Sequence, residues 1–145
     1  MTGNGSPVIE ATLFDAADYG GTGVAVRPDR SDEGGQVVAY SLARLGLSRL
    51  GSLRAPAFPA DPDDPFRQEP GWITAVTVWA SRPHAWPPDD GRRGRTWQEY
   101  RADTADLGVW GVKAGYVRVR KEPAAAPGGG AVRDRDAEHR IVVVE

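Results

Sequence analysis

The run Ala11-Thr12-Leu13-Phe14-Asp15-Ala16-Ala17-Asp18-Tyr19-Gly20-Gly21 joins a strand, a sharp turn and two spaced aromatics. Val8 to Phe14 is β-branched and apolar, stops at Asp15-Ala16-Ala17-Asp18, and resumes as Thr22 to Val26. That order is a hairpin signal. Phe14 and Tyr19 can stack as an aromatic corner over the folded turn. Gly21 permits a backbone angle barred to other residues, and Ser52, at the start of a later strand, can cap the hairpin's exposed amides.

Working outward, Val37 to Tyr40 and Gly51 to Ala55 read as further strands, the second stopped by Pro56. Between them Leu42, Leu45 and Leu50 fit one short helical turn inside a loop. Pro56 to Gly71 is an acidic, proline-rich connector whose missing amide donors are expected to keep it out of any sheet. Trp72 to Trp79 is the longest strand candidate, followed by a proline-rich loop over Ser81 to Arg95. Thr96 to Ala102 and the alternating Tyr116 to Arg120 complete the set. Residues 121–139 turn to Ala, Pro, Gly and charge, a composition expected of a flexible linker. Arg140 to Glu145 ends the chain with the strongly β-forming Ile141, Val142, Val143 and Val144.

The bulk composition agrees. At 145 residues the chain suits one domain, and its 12 prolines and 18 glycines interrupt it too often for long helices. The expected class is all-β. A net charge of −2 gives no general attraction to nucleic acid or to an anionic membrane, so neither is an expected partner. Without cysteine there can be no disulfide framework or thiolate zinc site, which suits a reducing compartment such as the bacterial cytoplasm. The opening residues carry no leader pattern, and no stretch has the ~18 apolar residues of a membrane span.

The chain also repeats itself. Ala11 to Gly21 and Leu45 to Pro56 in the first half compare with Ala75 to Trp86 and Leu107 to Val119 in the second. The first half, with Phe14, Tyr19, Gly21 and Ser52, resembles a βγ-crystallin Greek key motif. In the second, Trp79 stands where Phe14 did, His84 where Tyr19 did and Trp86 where the glycine should be. The resemblance implies a two-motif Greek key β-sandwich over residues 8–120, with motifs at about 8–56 and 72–120. It also implies calcium sites just before each motif's final strand, built from an acidic pair and a hydroxyl. The corresponding stretches, Leu47 to Ser52 and Gly111 to Tyr116, lack the acidic pair and the liganding hydroxyl, and Lys113 lies in the second. A degenerate calcium site and no other cofactor are therefore expected.

No catalytic constellation stands out. Neither His84 nor His139 lies beside a serine or threonine in a nucleophile motif. Asp61, Asp63, Asp64, Asp89 and Asp90 lack the ligand order of an EF-hand loop and read as solvated charge. Arg92, Arg93 and Arg95 beside Trp97 mix guanidinium and indole groups, but the adjacent aspartates offset their charge. Trp72, Trp79, Trp86, Trp97 and Trp110 either fill a core or line a ligand or carbohydrate cleft, with Trp86, between prolines, expected to be exposed. The terminal strand either pairs with its own sheet or adds to a partner or a second copy. The reading is a non-catalytic structural or protein-interaction module. Its alternatives are a ligand- or carbohydrate-binding protein, and a small enzyme or toxin.

Overall fold

The computed structural model describes residues 10–31, 34–59, 71–86, 96–123 and 139–145. Its first sheet is three-stranded, in the order β2 (Gly23–Val26), β1 (Ala11–Phe14), β4 (Ser52–Arg54). The second has seven strands. Its path runs β5 (Ala57–Pro59), β6 (Gly71–Trp79), β9 (Tyr116–Pro123), β3 (Val37–Ser41), β10 (His139–Val144), β7 (Ala85–Trp86). The seventh strand, β8 (Trp97–Tyr100), pairs with β6. One short helix, α1 (Val109–Lys113), precedes β9. The architecture is an all-β sandwich, and among the described residues no helix is long and apolar enough to cross a membrane.

The two halves share a plan. In the first, β1 is flanked by β2 and β4. In the second, β6 is flanked by β8 and β9. Each half also contributes to the other's sheet: β3 leaves the first half to pair with β9, and Thr104 of the second bridges Leu53 on β4. Alternation along these strands sends Leu13, Leu53, Val76, Val78, Val117 and Val119 into the space between the sheets. Leu42, Leu47, Leu50 and Leu107 from the loops and Trp110 from α1 close one end of that core.

Phe14, Tyr19, Gly21 and Ser52 meet at one corner. The Phe14 and Tyr19 rings are 5.9 Å apart and edge-on, at 73°. Asp18 and Tyr19 both adopt positive φ, at 55° and 60°, which disfavours side chains bearing Cβ. Two hydrogen bonds hold this turn: Asp18 N–H donates to the Ala105 carbonyl at 2.7 Å, and Tyr19 N–H to Ser52 Oγ at 2.9 Å. The Ser52 hydroxyl in turn donates to the Ala16 carbonyl at 2.6 Å. Gly21, at φ 73°, lies so close to Asp15 that a Cβ would collide with Oδ1, the oxygen that accepts from Thr22 N–H.

Three expectations need correction. Residues 56–71 are not wholly outside the sheets, because Ala57–Pro59 pairs with Gly71–Ile73. An edge position makes this possible, since a proline there need not donate to a second neighbour. The stretch 121–139 is not linker from end to end: Lys121, Glu122 and Pro123 continue β9 against Thr74, Ile73 and Trp72, and His139 opens β10. The terminal strand lies in its own chain's second sheet, the first of its two expected pairings, parallel to β3 and antiparallel to β7. Trp86, finally, is fully buried, at 0% exposure.

Ser52→Ala removes the acceptor for Tyr19 N–H and the donor to Ala16. We expect it to lower unfolding free energy by about 1–3 kcal/mol in urea titration followed by tryptophan fluorescence. A loss under about 0.5 kcal/mol would mean that the hydroxyl does not hold the corner.

Candidate functional site

A second buried cluster lies on the face of the larger sheet turned away from the sandwich core. Val37 and Ala39 of β3, Trp79 of β6, Trp97 of β8, Trp86 of β7 and Ile141 of β10 pack together there. In the strand order, β9, β3 and β10 separate β6 from β7. In a flat sheet, four strand spacings would set β6 and β7 about 19 Å apart. Yet the Trp79 and Trp86 rings lie 6.2 Å apart, edge-on at 78°. The sheet therefore curls until its far edge folds over its centre, and Trp86 seals the hollow.

Charge fills the rest of that hollow. The alternation that points Val117 and Val119 into the core points Arg118 and Arg120 to this side, where they are 0% and 5% exposed. Arg118 donates through Nε to Asp29 Oδ2 at 2.7 Å and through Nη2 to Ser31 Oγ at 2.6 Å. Its guanidinium carbon stands 4.2 Å from the Trp86 ring centre, a stacking distance. Arg120 donates to Glu122 Oε2 and Glu99 Oε2, both at 2.8 Å. Arg101 pairs with Glu99 and Glu122 from the rim. Burial opposes the charge on Arg120, but Glu99 and Glu122 more than offset it, so its pKa lies above the ordinary arginine value.

Asp29 ties this layer to the crossover between the halves. Its carboxylate accepts from Arg118, from Val38 N–H at 3.1 Å and from Ser31, while its own N–H donates to the Val119 carbonyl at 2.9 Å. The layer sets three guanidiniums against three carboxylates, Arg118 with Asp29 and Arg101 and Arg120 with Glu99 and Glu122, so its charges balance, while Arg118 Nη1 is buried without a hydrogen-bond partner among the described residues.

The sequence-derived candidates fall into three groups. Trp86, Trp97 and Ile141 do come together, but as interior, with Trp86 at 0% and Trp97 at 4% exposure, not as a ligand surface. The prolines flanking Trp86 do not set its exposure; the edge pairing of β7 on β10 and the two arginines stacked on its ring do. Val142, Val143 and Val144 are half-buried along the same strand. Arg92, Arg93 and Arg95 lie outside the described residues, as do Asp61, Asp63, Asp64, Asp89 and Asp90. His84 is exposed on the loop before β7, where its carbonyl accepts from Ile141 N–H at 3.2 Å.

The two stretches where the resemblance would seat calcium lie side by side, Leu50 N–H donating to the Gly111 carbonyl at 3.1 Å. They do not fit a hard cation. Ser52 Oγ is committed to Tyr19 and Ala16, Tyr116 stands at the register position of Ser52, and Arg49 approaches the Gly111 backbone. Among the described residues no three His, Asp or Glu side chains gather as metal ligands.

This end of the molecule carries a different surface. Helix α1 follows Gly108, whose N–H donates to Asp106 Oδ1 at 2.8 Å, and its Trp110 turns inward to 8% exposure beneath Lys113. Val109 and Val112, three residues apart and so on one face, turn outward at 73% and 76% exposure. Among the described residues they are the exposed large hydrophobic side chains. Arg44 and Arg49 are exposed on the neighbouring loop.

Sequence reading missed the charged layer. Its one signal was the spacing of Arg118 and Arg120 on a strand, which ordinarily marks a solvent face. Replacing Arg118 with Met strands the Asp29 carboxylate, and we expect a loss of about 3–5 kcal/mol. Combining Arg118→Met with Asp29→Asn should recover part of it, both read by urea unfolding. A cost below about 1 kcal/mol for Arg118→Met would show that the pair does not hold the crossover.

Solved structures similar to the chain include the following three. The N-terminal domain of protein S aligns with a TM-score of 0.49 and 18% identity over 79% of this chain and 98% of that one. A βγ-crystallin domain from Clostridium beijerinckii aligns at 0.47 and 19%, over 77% and 97%. Hahellin, a βγ-crystallin, aligns at 0.47 and 17%, over 81% and 98%. No protein-family model and no curated protein matches the chain. With its aromatic corner locked by Ser52 and a strand passed from the first half into the second's sheet, the chain folds as an all-β sandwich similar to these βγ-crystallin domains.

Proposed function

We propose that this domain is a non-catalytic protein-interaction module whose working surface is the outer face of α1. The observation that carries this reading is the exposure of Val109 and Val112, 73% and 76%, beside Arg49 on a fold whose other large apolar side chains are buried or half-buried among the described residues. An apolar pair with Arg49 and Lys113 beside it and Asp106 at the helix start suits a protein segment that combines aliphatic and charged side chains. The ionisable groups of the interior support the same reading, since Arg118, Arg120, Glu99, Glu122 and Asp29 are engaged with one another. A carbohydrate cleft receives less support: Trp79, Trp86, Trp97 and Trp110 are buried, and Trp72 is half-covered, with Lys121 4.6 Å from its ring centre.

The test compares the wild-type chain with Val109→Asp/Val112→Asp as baits. Because both side chains are exposed, the variant should keep its stability within about 0.5 kcal/mol. We expect wild type to retain a protein that the variant loses, at least tenfold by quantitative mass spectrometry. Equal retention by both would overturn the reading. A saturable change of tryptophan fluorescence with a sugar panel would favour the ligand-binding alternative.

A further inference from the structure

β10 is held by contacts remote in sequence. It lies parallel to β3 with Ile141 opposite Val37 and Val144 opposite Tyr40. On its other edge it pairs with β7 at His139 and Arg140. Ile141 enters the cluster of Val37, Ala39, Trp86 and Trp97, and Glu145 pairs with Arg82. None of these partners is a sequence neighbour, so the identical seat on a second copy would hold β10 equally well.

The connection allows either arrangement. Extending the β3–β9 and β3–β10 registers sets His139 level with the end of β9. With two strand spacings between them, the gap is about 10 Å. The chain has fifteen residues, 124–138, to cross it, and these can reach about 50 Å when extended. A vacated seat cannot stay empty without cost: it opens the Val37–Tyr40 edge, bares Trp86 and releases an Ile-Val-Val-Val strand. The strand that fits this seat best in shape and charge is the one found in it.

We propose that two copies of this chain exchange β10, each placing its carboxy-terminal strand between β3 and β7 of the other. The closed monomer dominates in dilute solution, where the tether keeps the strand's effective concentration high. The exchanged dimer forms when the chain refolds at high protein concentration. This interaction uses a different surface from α1 and stands apart from that reading.

The absence of cysteine makes the test clean. Val38 and Val142 are register partners, and the spacing of adjacent strands falls within disulfide reach. Full-length Val38→Cys and Val142→Cys chains are mixed, unfolded, refolded together at rising concentration and oxidised. Wild type treated alike is sized by light scattering. We expect dimer in the wild type, and a disulfide joining the two introduced thiols in the mixture, found by peptide mass spectrometry and increasing several-fold with each tenfold rise in concentration. The double variant Val38→Cys/Val142→Cys should close within one chain when dilute and between chains when concentrated. Monomer throughout, with closure within one chain at every concentration, overturns the proposal. So does a dimer that lacks the mixed disulfide, because it would then use another surface.

Discussion

The contact between Asp29 and Arg118 is the constraint on which the rest depends. Asp29 sits on the crossover that takes the chain out of the first sheet, and Arg118 sits on the strand that receives it. At 2.7 Å, with both side chains almost fully buried, the pair is short and charge-assisted. The same carboxylate accepts from Val38 N–H, so it fixes the start of β3 as well as the fate of the arginine. Without it, two charges would be left in a space too poorly solvated to hold them singly. The pair also positions Arg118 beneath Trp86, and so connects the crossover to the lid over the charged layer.

The two halves solve one geometric problem with different chemistry. Each must fold its first strand back on itself around an aromatic. In the first half a serine hydroxyl spans the corner, and a glycine takes the angle that a side chain would resist. In the second, Tyr116 replaces the serine in register and Trp86 replaces the glycine in sequence. At that corner Ile141 N–H, from β10, donates to the His84 carbonyl. The carboxy-terminal strand thus helps to close the second corner. This closure requires a curled sheet, which brings the second tryptophan cluster and the ion pairs into one enclosed layer.

That economy leaves little reactive chemistry in the described interior. Its carboxylates and guanidiniums neutralise each other, and four of its tryptophans are packed away. What faces water in an unusual way is apolar, the pair Val109 and Val112 beside the loop that carries Arg44 and Arg49. Val112 and Arg49 lie in the stretches where the resemblance would have a cation bound by carboxylates.

The sequence alone determined what depends on local backbone chemistry. Strand alternation, the turn residues around Asp15 to Gly21 and the serine at Ser52 each act through their own neighbourhood or through one aligned strand, so they could be read in order along the chain. The connector residues Ala57–Pro59 and the short strand at Ala85–Trp86 escaped because edge pairing is lent by a neighbour, here β6 and β10, and not by intrinsic propensity. Whether Trp86 faced solvent, whether Arg118 and Arg120 lay outside or inside, and what covered the terminal strand were matters for tertiary structure only. An alternating strand has two faces and its sequence does not say what will lie on either. Only the curl that carries β7 over β6 turned the charged face into an interior and set the aspartate, the arginines and the tryptophan within reach of one another.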